Sequence, residues 1–351
     1  MKNKIILLPL IALLAASCNL FGANTTQGVI KTVDGGGTWQ AKNHIANTTS
    51  DGLNTLPISE MAFDSANHEH IYLTSSTNGF WRSFDSGDNW TQVLSKISAA
   101  DFFLNPQDPN NIIVTGIYGD HGKMIRTKDG GATWEEIYNE ASTSNAVNTI
   151  TANPSNAAEI YAALNSGIII KSVDGGTNWF VLYDMKTQIL KMRFSKLNNA
   201  LYAITADKGL YKSVDNGQHW DSITTQLTGV SGNYLISSSD YVSKFFKLGL
   251  DDDTAGVIYL TTSNGLYKTT NDGKNWAILN LPIQTNADVT RAIASTHGGM
   301  IAYTSIGSTI YKTLNGGQSW QTQGIPSANL VNKIIIDPTL PQISYAGLIS
   351  K

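Results

Sequence analysis

Seven near-copies of one nine-residue phrase govern what this chain can fold into. The phrase is "KTVDGGGTW" at Lys31. It returns as "RSFDSGDNW" at Arg82, "RTKDGGATW" at Arg126, "KSVDGGTNW" at Lys171, "KSVDNGQHW" at Lys212, "KTTNDGKNW" at Lys268 and "KTLNGGQSW" at Lys312. The leading Ser/Thr residues stand at 32, 83, 127, 172, 213, 269 and 313, so the period runs from 41 to 56 residues. Self-similarity at this spacing marks a propeller or solenoid rather than two unrelated domains.

The shared frame is Ser/Thr-x-Asp/Asn-x-Gly-x-x-Trp. An Asp or Asn in a tight turn is expected to accept hydrogen bonds from backbone N–H groups two residues on. The Gly four places after the Ser/Thr can take positive φ, having no Cβ. The Trp, expected to open the following strand, supplies a large apolar plug with one N–H donor. Seven of the eight tryptophans fill this slot: Trp39, Trp90, Trp134, Trp179, Trp220, Trp276 and Trp320. The acidic slot holds Asp34, Asp85, Asp129, Asp174 and Asp215, but Asn271 and Asn315 fill it in the last two copies. Asn keeps the acceptor oxygen and loses the charge. The slot therefore needs an acceptor, not a carboxylate, and reads as structural rather than catalytic or metal-binding.

Each unit reads as four short strands. In "VNTITANP", "EIYAAL", "GIIIKSV" and "WFVLY" the box turn joins the third strand to the fourth. The chain enters at "GVIKT", a third strand, and ends after "VNKIIIDPTLPQISYAGLIS", a first and a second. Joined, the ends make one blade beside six complete ones. The expected fold is all-β, a seven-bladed β-propeller over residues 28–351 with four-stranded blades, closed by two N-terminal plus two C-terminal strands. Closure of this kind removes the exposed sheet edges that invite aggregation.

The first 17 residues read as a signal peptide: Lys2 and Lys4, then an apolar run over 5–14 too short to span a bilayer. "LAASC" resembles a bacterial lipoprotein box, with Ala15 where such boxes usually carry Leu. Cys18 is the only cysteine, which excludes an internal disulfide and suits a thiol reserved for acylation. The expectation is an exported, extracytoplasmic protein held on a bacterial membrane by lipid at Cys18, with 18–27 as a tether. Ordinary cleavage after small residues is the alternative. A net charge of −3 and 15% charged residues argue against nucleic acid as a partner.

The repeat resembles the Asp-box, or BNR repeat, of sialidases, sortilin, xyloglucanases and photosystem II stability/assembly factor-like proteins, over residues 28–350. A sialidase would imply an arginine triad and an Arg-Ile-Pro segment. The chain has four arginines and no such segment, and Arg82 and Arg126 occupy the repeat position held elsewhere by Lys. Xyloglucanases resembling this chain pair two propellers around a cleft, and one is expected here. Asp51, Asp120 and Asp240 are the carboxylates in long loops that glycosidase chemistry would have to bring together. His68 and His70 lack an obvious third metal ligand, and Asp251 to Asp253 lack the Gly and distal Glu of an EF-hand loop. No metal site and no cofactor are expected.

Size and repeat most resemble the photosystem II assembly factor-like proteins. That resemblance implies a non-catalytic, membrane-tethered scaffold that holds a protein partner, such as a membrane-protein intermediate. The family's arginine-rich patch is not reproduced. The rival reading is a carbohydrate-binding or glycan-cleaving surface lipoprotein.

Three long segments lie on the face opposite the boxes: 41–57, 115–123 and 221–241. Loops of this length on one rim suggest a binding face. Tyr118, His121 and Tyr234 are its candidate contacts. Aligned first strands place Lys333, Glu60, Asp101, Thr149, Lys191, Lys244 and Arg291 in one column near the channel mouth, with Arg193 two positions on. The basic members, Lys191, Arg193, Lys244, Arg291 and Lys333, are expected to attract an acidic segment of a partner.

Overall fold

A computed structural model describes residues 27–224, 227, 244–282 and 290–351. Cys18 and Tyr234 lie outside the described residues, as does Asp240. The described strands form seven four-stranded antiparallel sheets. Six sheets run in chain order from the axis outward. The seventh is composite, in the order Gln40–Ala41, Gly28–Thr32, Ser344–Ile349, Leu330–Ile336. The expected blade count and the mode of closure both hold.

The inner strands are Ile58–Phe63, Ser98–Leu104, Val147–Asn153, Ile189–Phe194, Phe245–Leu250, Thr290–Thr296 and Leu330–Ile336. Each packs on the next around the ring. Second strands such as "IYLTS" at Ile71–Ser75 are buried along their whole length, because both faces of a blade lie against neighbouring blades. Their continuous Ile, Leu, Val and Tyr runs follow from that.

The box turn differs from expectation in its wiring. Asp34 Oδ1 accepts the Thr38 N–H at 2.9 Å, four residues on rather than two, and takes the Thr32 hydroxyl at 2.8 Å. The Thr32 oxygen in turn accepts the Gly36 N–H at 2.8 Å. The same three bonds recur at Asn315, with the Ser319 and Gly317 N–H groups and the Thr313 hydroxyl, so Asn does serve as well as Asp. The box Gly has φ between 84° and 102° in all seven copies, a region that penalises any Cβ.

Each Trp lies one residue before its outer strand rather than opening it, and turns onto the preceding blade. Trp39, Trp90 and Trp320 are buried and the other four are half-buried. Trp90 donates its indole N–H to the Lys42 carbonyl at 2.8 Å, Trp134 to Val93 and Trp276 to Ile223. Trp90→Ala is expected to cost about 3–5 kcal/mol, read by chemical denaturation, because the ring is 0% exposed at the closure seam.

In six of the seven copies the opening basic residue staples the ring in the other direction, while Lys171 pairs with Glu159 of its own blade. Lys31 donates to the Ser86 carbonyl, Arg126 to Gly175, Lys268 to Gly316 and Lys312 to Gly35, each in the next blade's box turn. Most lie over an aromatic ring of their own blade, as Lys312 does over Tyr303 at 5.4 Å. Arg82, bonded to Gly130, joins the series, so its reading as part of the repeat holds.

The box carboxylates also predict the response to acid. The Thr38, Asn178 and His219 N–H groups hold Asp34, Asp174 and Asp215 at about 2, below the ordinary 3.8. A depressed folded pKa stabilises above the ordinary value and is lost as pH falls through the folded one. Melting temperature should therefore stay level from neutral pH to about 4 and drop between about 4 and 2. Asp34→Asn should melt like the parent at neutral pH and lose less in acid; an equal acid loss would count against this wiring.

Candidate functional site

All seven inner strands share one irregularity that the sequence column could not register. In six, the second strand's pairing skips a single residue: Ser59, Ala100, Asn148, Leu190, Phe246 and Asn332. In the strand Thr290–Thr296 the shift falls between Thr290 and Ile293. Counting from this bulge puts Glu60, Asp101, Thr149, Lys191, Lys247, Ala292 and Lys333 at equivalent positions. Two of the expected members are thereby displaced. Lys244 precedes its strand and is exposed, and Lys247 takes the place assigned to it. Arg291 falls one residue early, and its side chain lies outside what the structure describes. The physical reason is the extra residue of a β-bulge, which breaks simple period-two counting.

The charges that do converge are not an open basic patch. Lys191 Nζ lies 2.7 Å from Glu60 Oε2 and 2.8 Å from Asp101 Oδ1. Lys333 bonds the other Glu60 oxygen. Asp101, whose side chain is 3% exposed, also accepts the Thr149 hydroxyl at 2.8 Å and the Ile150 N–H at 3.0 Å. The chain Lys333–Glu60–Lys191–Asp101–Thr149 thus links five elements around the channel. Arg193 stands toward the box face with Asp252, 3.5 Å away on an inner-strand turn.

Electrostatics follow the geometry. Burial alone would raise the Glu60 pKa, but Lys191 and Lys333 outweigh it and hold the carboxyl below its usual range. Burial would lower Lys191, yet Asp101 and Glu60 raise it. Lys333 is lowered by burial, with only Glu60 opposing and Lys191 and Arg193 adding to the shift. Glu60 thus stays ionised at neutral pH, and Asp101 is closed in by its bonds to Lys191, Thr149 and the Ile150 N–H.

The long-loop face also departs from expectation. Segment 41–57 packs against the ring: Leu53 and Leu56 are buried, Asn43 Oδ1 accepts the Val29 N–H, and Ile45 bridges to Trp90. It seals the composite blade to its neighbour. Segment 115–123 is mostly strand, a hairpin of Ile112–Tyr118 and His121–Thr127 turning at Gly119 and Asp120. His121 Nδ1 lies 2.8 Å from the Glu140 carbonyl, and Tyr118 is exposed with Lys123 over its ring at 5.5 Å. Asp51 lies 3.5 Å from His44, on a different segment from the Asp120 turn.

On the box face, His68 Nδ1 meets Asp337 Oδ1 at 3.0 Å across the closure seam, and His70 lies 3.7 Å from Asp64. Asp251 accepts the Gly299 N–H, and Asp253 accepts the Thr296 hydroxyl and the His297 N–H, so the acidic run stitches two blades. Among the described residues no cluster of three or more His, Cys, Asp or Glu side chains could hold a metal. Among them, too, no helix is long and apolar enough to cross a membrane.

Comparison with known proteins gives the same architecture. Residues 27–166 match the Sortilin-Vps10 family (sortilin, neurotensin receptor 3). A xyloglucanase of Acetivibrio thermocellus is 25% identical over 260 residues, covering 71% of this chain. The chain spans only 28% of that enzyme's length. The solved GH74 xyloglucanase of Xanthomonas campestris superposes with a TM-score of 0.65 at 14% identity, over 84% of this chain and 51% of its own. YCF48 bound to D1 peptide superposes with a TM-score of 0.61 at 17% identity, over 84% of this chain and 93% of that one. The chain is a seven-bladed propeller of the Asp-box type, similar in fold to both YCF48 and the GH74 enzymes.

Proposed function

We propose that the chain is a non-catalytic scaffold that binds a protein partner while tethered to a bacterial membrane through lipid on Cys18. One observation supports it above others: the channel's carboxylates are closed into a network with Lys191 and Lys333, leaving a rigid hub rather than an acid–base pair. The likeness to YCF48, solved with a peptide bound and covered almost end to end, fits a single propeller acting as a binding unit. The second reading, glycan binding or cleavage, is favoured by the sequence matches to xyloglucanases.

Lysine crosslinking in native membranes, followed by mass spectrometry, tests the scaffold. A recurrent protein partner on the propeller is the expected result, and its absence across detergents and crosslinkers would overturn the reading. Intact mass of the membrane-extracted protein tests the tether. Acyl chains on an N-terminal Cys18 are expected; an unmodified N-terminus there, or release into the soluble fraction, contradicts it.

A further inference from the structure

The described residues include eleven exposed large apolar side chains, and eight of them lie on the box face. Five occupy one repeat position, between the Ser/Thr and the Asp/Asn: Val33, Phe84, Val173, Val214 and Leu314. The other three, Leu197, Met300 and Leu340, sit in the turns that leave the inner strands on the same face. An apolar surface that recurs with the repeat marks an interaction face better than scattered single residues do.

The same face carries many carboxylates, with Lys128, Lys196 and Lys274 exposed in other blades than the closure seam. Its five box carboxylates are held ionised by their own turns, and Glu69, Asp88 and Asp108 add to them. One recess on it is a cleft of about 560 Å³ at the closure seam, between the 65–69 turn, the 337–343 turn and Ser86. Ile343 and Tyr345 supply apolar lining, and Leu340 lines it while 45% exposed. Glu69 lines it with an exposed carboxylate. Phe84, 48% exposed, stands two residues from Ser86 and lies against His70 at 4.4 Å. Burial pushes the Tyr345 hydroxyl pKa up, the hydrogen bond to Ser86 opposes it, and the charges of Asp88, Asp337 and Asp85 add to the rise.

We infer that this cleft binds an extended segment of a protein partner in which a Leu- or Phe-sized side chain is flanked by Lys or Arg. The apolar residue would lie against Leu340 and Ile343, since Lys31 already stands over the buried Tyr345 ring at 5.2 Å, and the cation would face Glu69 and the neighbouring box carboxylates. Charge complementarity selects the occupant. The chain's own stretches outside the described residues, from Cys18 onward, contain no Lys or Arg, so none of them matches the acidic rim. A second copy would bring the same carboxylate-rich face. The inference rests on the protein-binding reading and specifies its partner.

The test uses a nine-residue fluorescent peptide that alternates lysine with leucine and phenylalanine. Two controls replace its lysines by glutamate or its apolar residues by serine. Saturable binding of the first peptide alone is expected, weakened by salt, with Leu340→Asp plus Glu69→Lys reducing affinity about tenfold or more. Leu314→Asp, in another blade on the same face, should leave binding unchanged. Melting temperature checks that the exposed substitutions do not unfold the ring. No binding, equal binding of the glutamate peptide, or binding indifferent to the double substitution would overturn the inference. So would a dimer dispersed by Leu340→Asp, which would give the cleft to a second copy. Crosslinking in membranes separates the two readings: a partner captured equally by parent and double variant keeps the scaffold and discards this cleft. Capture by neither discards the scaffold.

Discussion

Deleting Ile343 to Lys351 should leave the domain unfolded or lower its melting temperature by more than about 10 °C. The lost strand Ser344–Ile349 is not an edge. It pairs with Gly28–Thr32 on one side, Leu348 opposite Gly28 and Ser344 opposite Thr32, and with Leu330–Ile336 on the other. Tyr345, Ala346 and Leu348 are buried, and the Tyr345 hydroxyl reaches the Ser86 carbonyl in the next blade. Removing buried side chains of this size costs about 2–5 kcal/mol each, against a total stability of about 5–15 kcal/mol. Two exposed edges would also open where the parent has none. Removing Lys351 alone should do nothing measurable. A truncated chain that melts with the parent would mean that the composite blade does not hold the ring.

Lys191→Met should destabilise by about 3–5 kcal/mol, the usual result of removing one partner from a buried ionic network. Lys191 serves two carboxylates, so Asp101 loses its cation and Glu60 keeps only Lys333. The side chain is 22% exposed, and channel water softens the effect without supplying a counter-charge. Adding Glu60→Gln and Asp101→Asn should restore much of the loss, because the uncompensated charges then disappear. Urea denaturation of the three proteins at pH 7 gives the comparison. A single variant as stable as the parent would mean that Lys191 is solvated and available to a partner, as the sequence column implied.

The propeller was legible because its determinants are local. Ser/Thr, Asp/Asn, Gly and Trp fix each turn within eight residues, and seven copies at one period fix the count. Closure was legible from the odd halves left at the two ends. The channel was not, because its contacts join residues far apart in the chain: Lys191 meets Glu60 across 131 positions. A bulge in each inner strand, invisible in composition, moved Lys247 into the column and Lys244 out of it. The staples from Lys31, Lys268 and Lys312 were visible only as a residue type that recurs, since their acceptors are backbone carbonyls. The long loop at 41–57 reads as a binding loop, and its Leu53 and Leu56 also pack it against the ring. The apolar second position of the box was on display throughout. In a strand such residues read as core, and only the turn geometry faces Val33, Phe84 and Val214 outward.

The sharpest division between scaffold and enzyme is the release of reducing ends from xyloglucan by the purified chain. The closed network of Glu60 and Asp101 predicts release no greater than from buffer, at neutral pH and under mild acid alike. Turnover above that level, abolished by substituting a carboxylate of this propeller, would contradict the account at its centre.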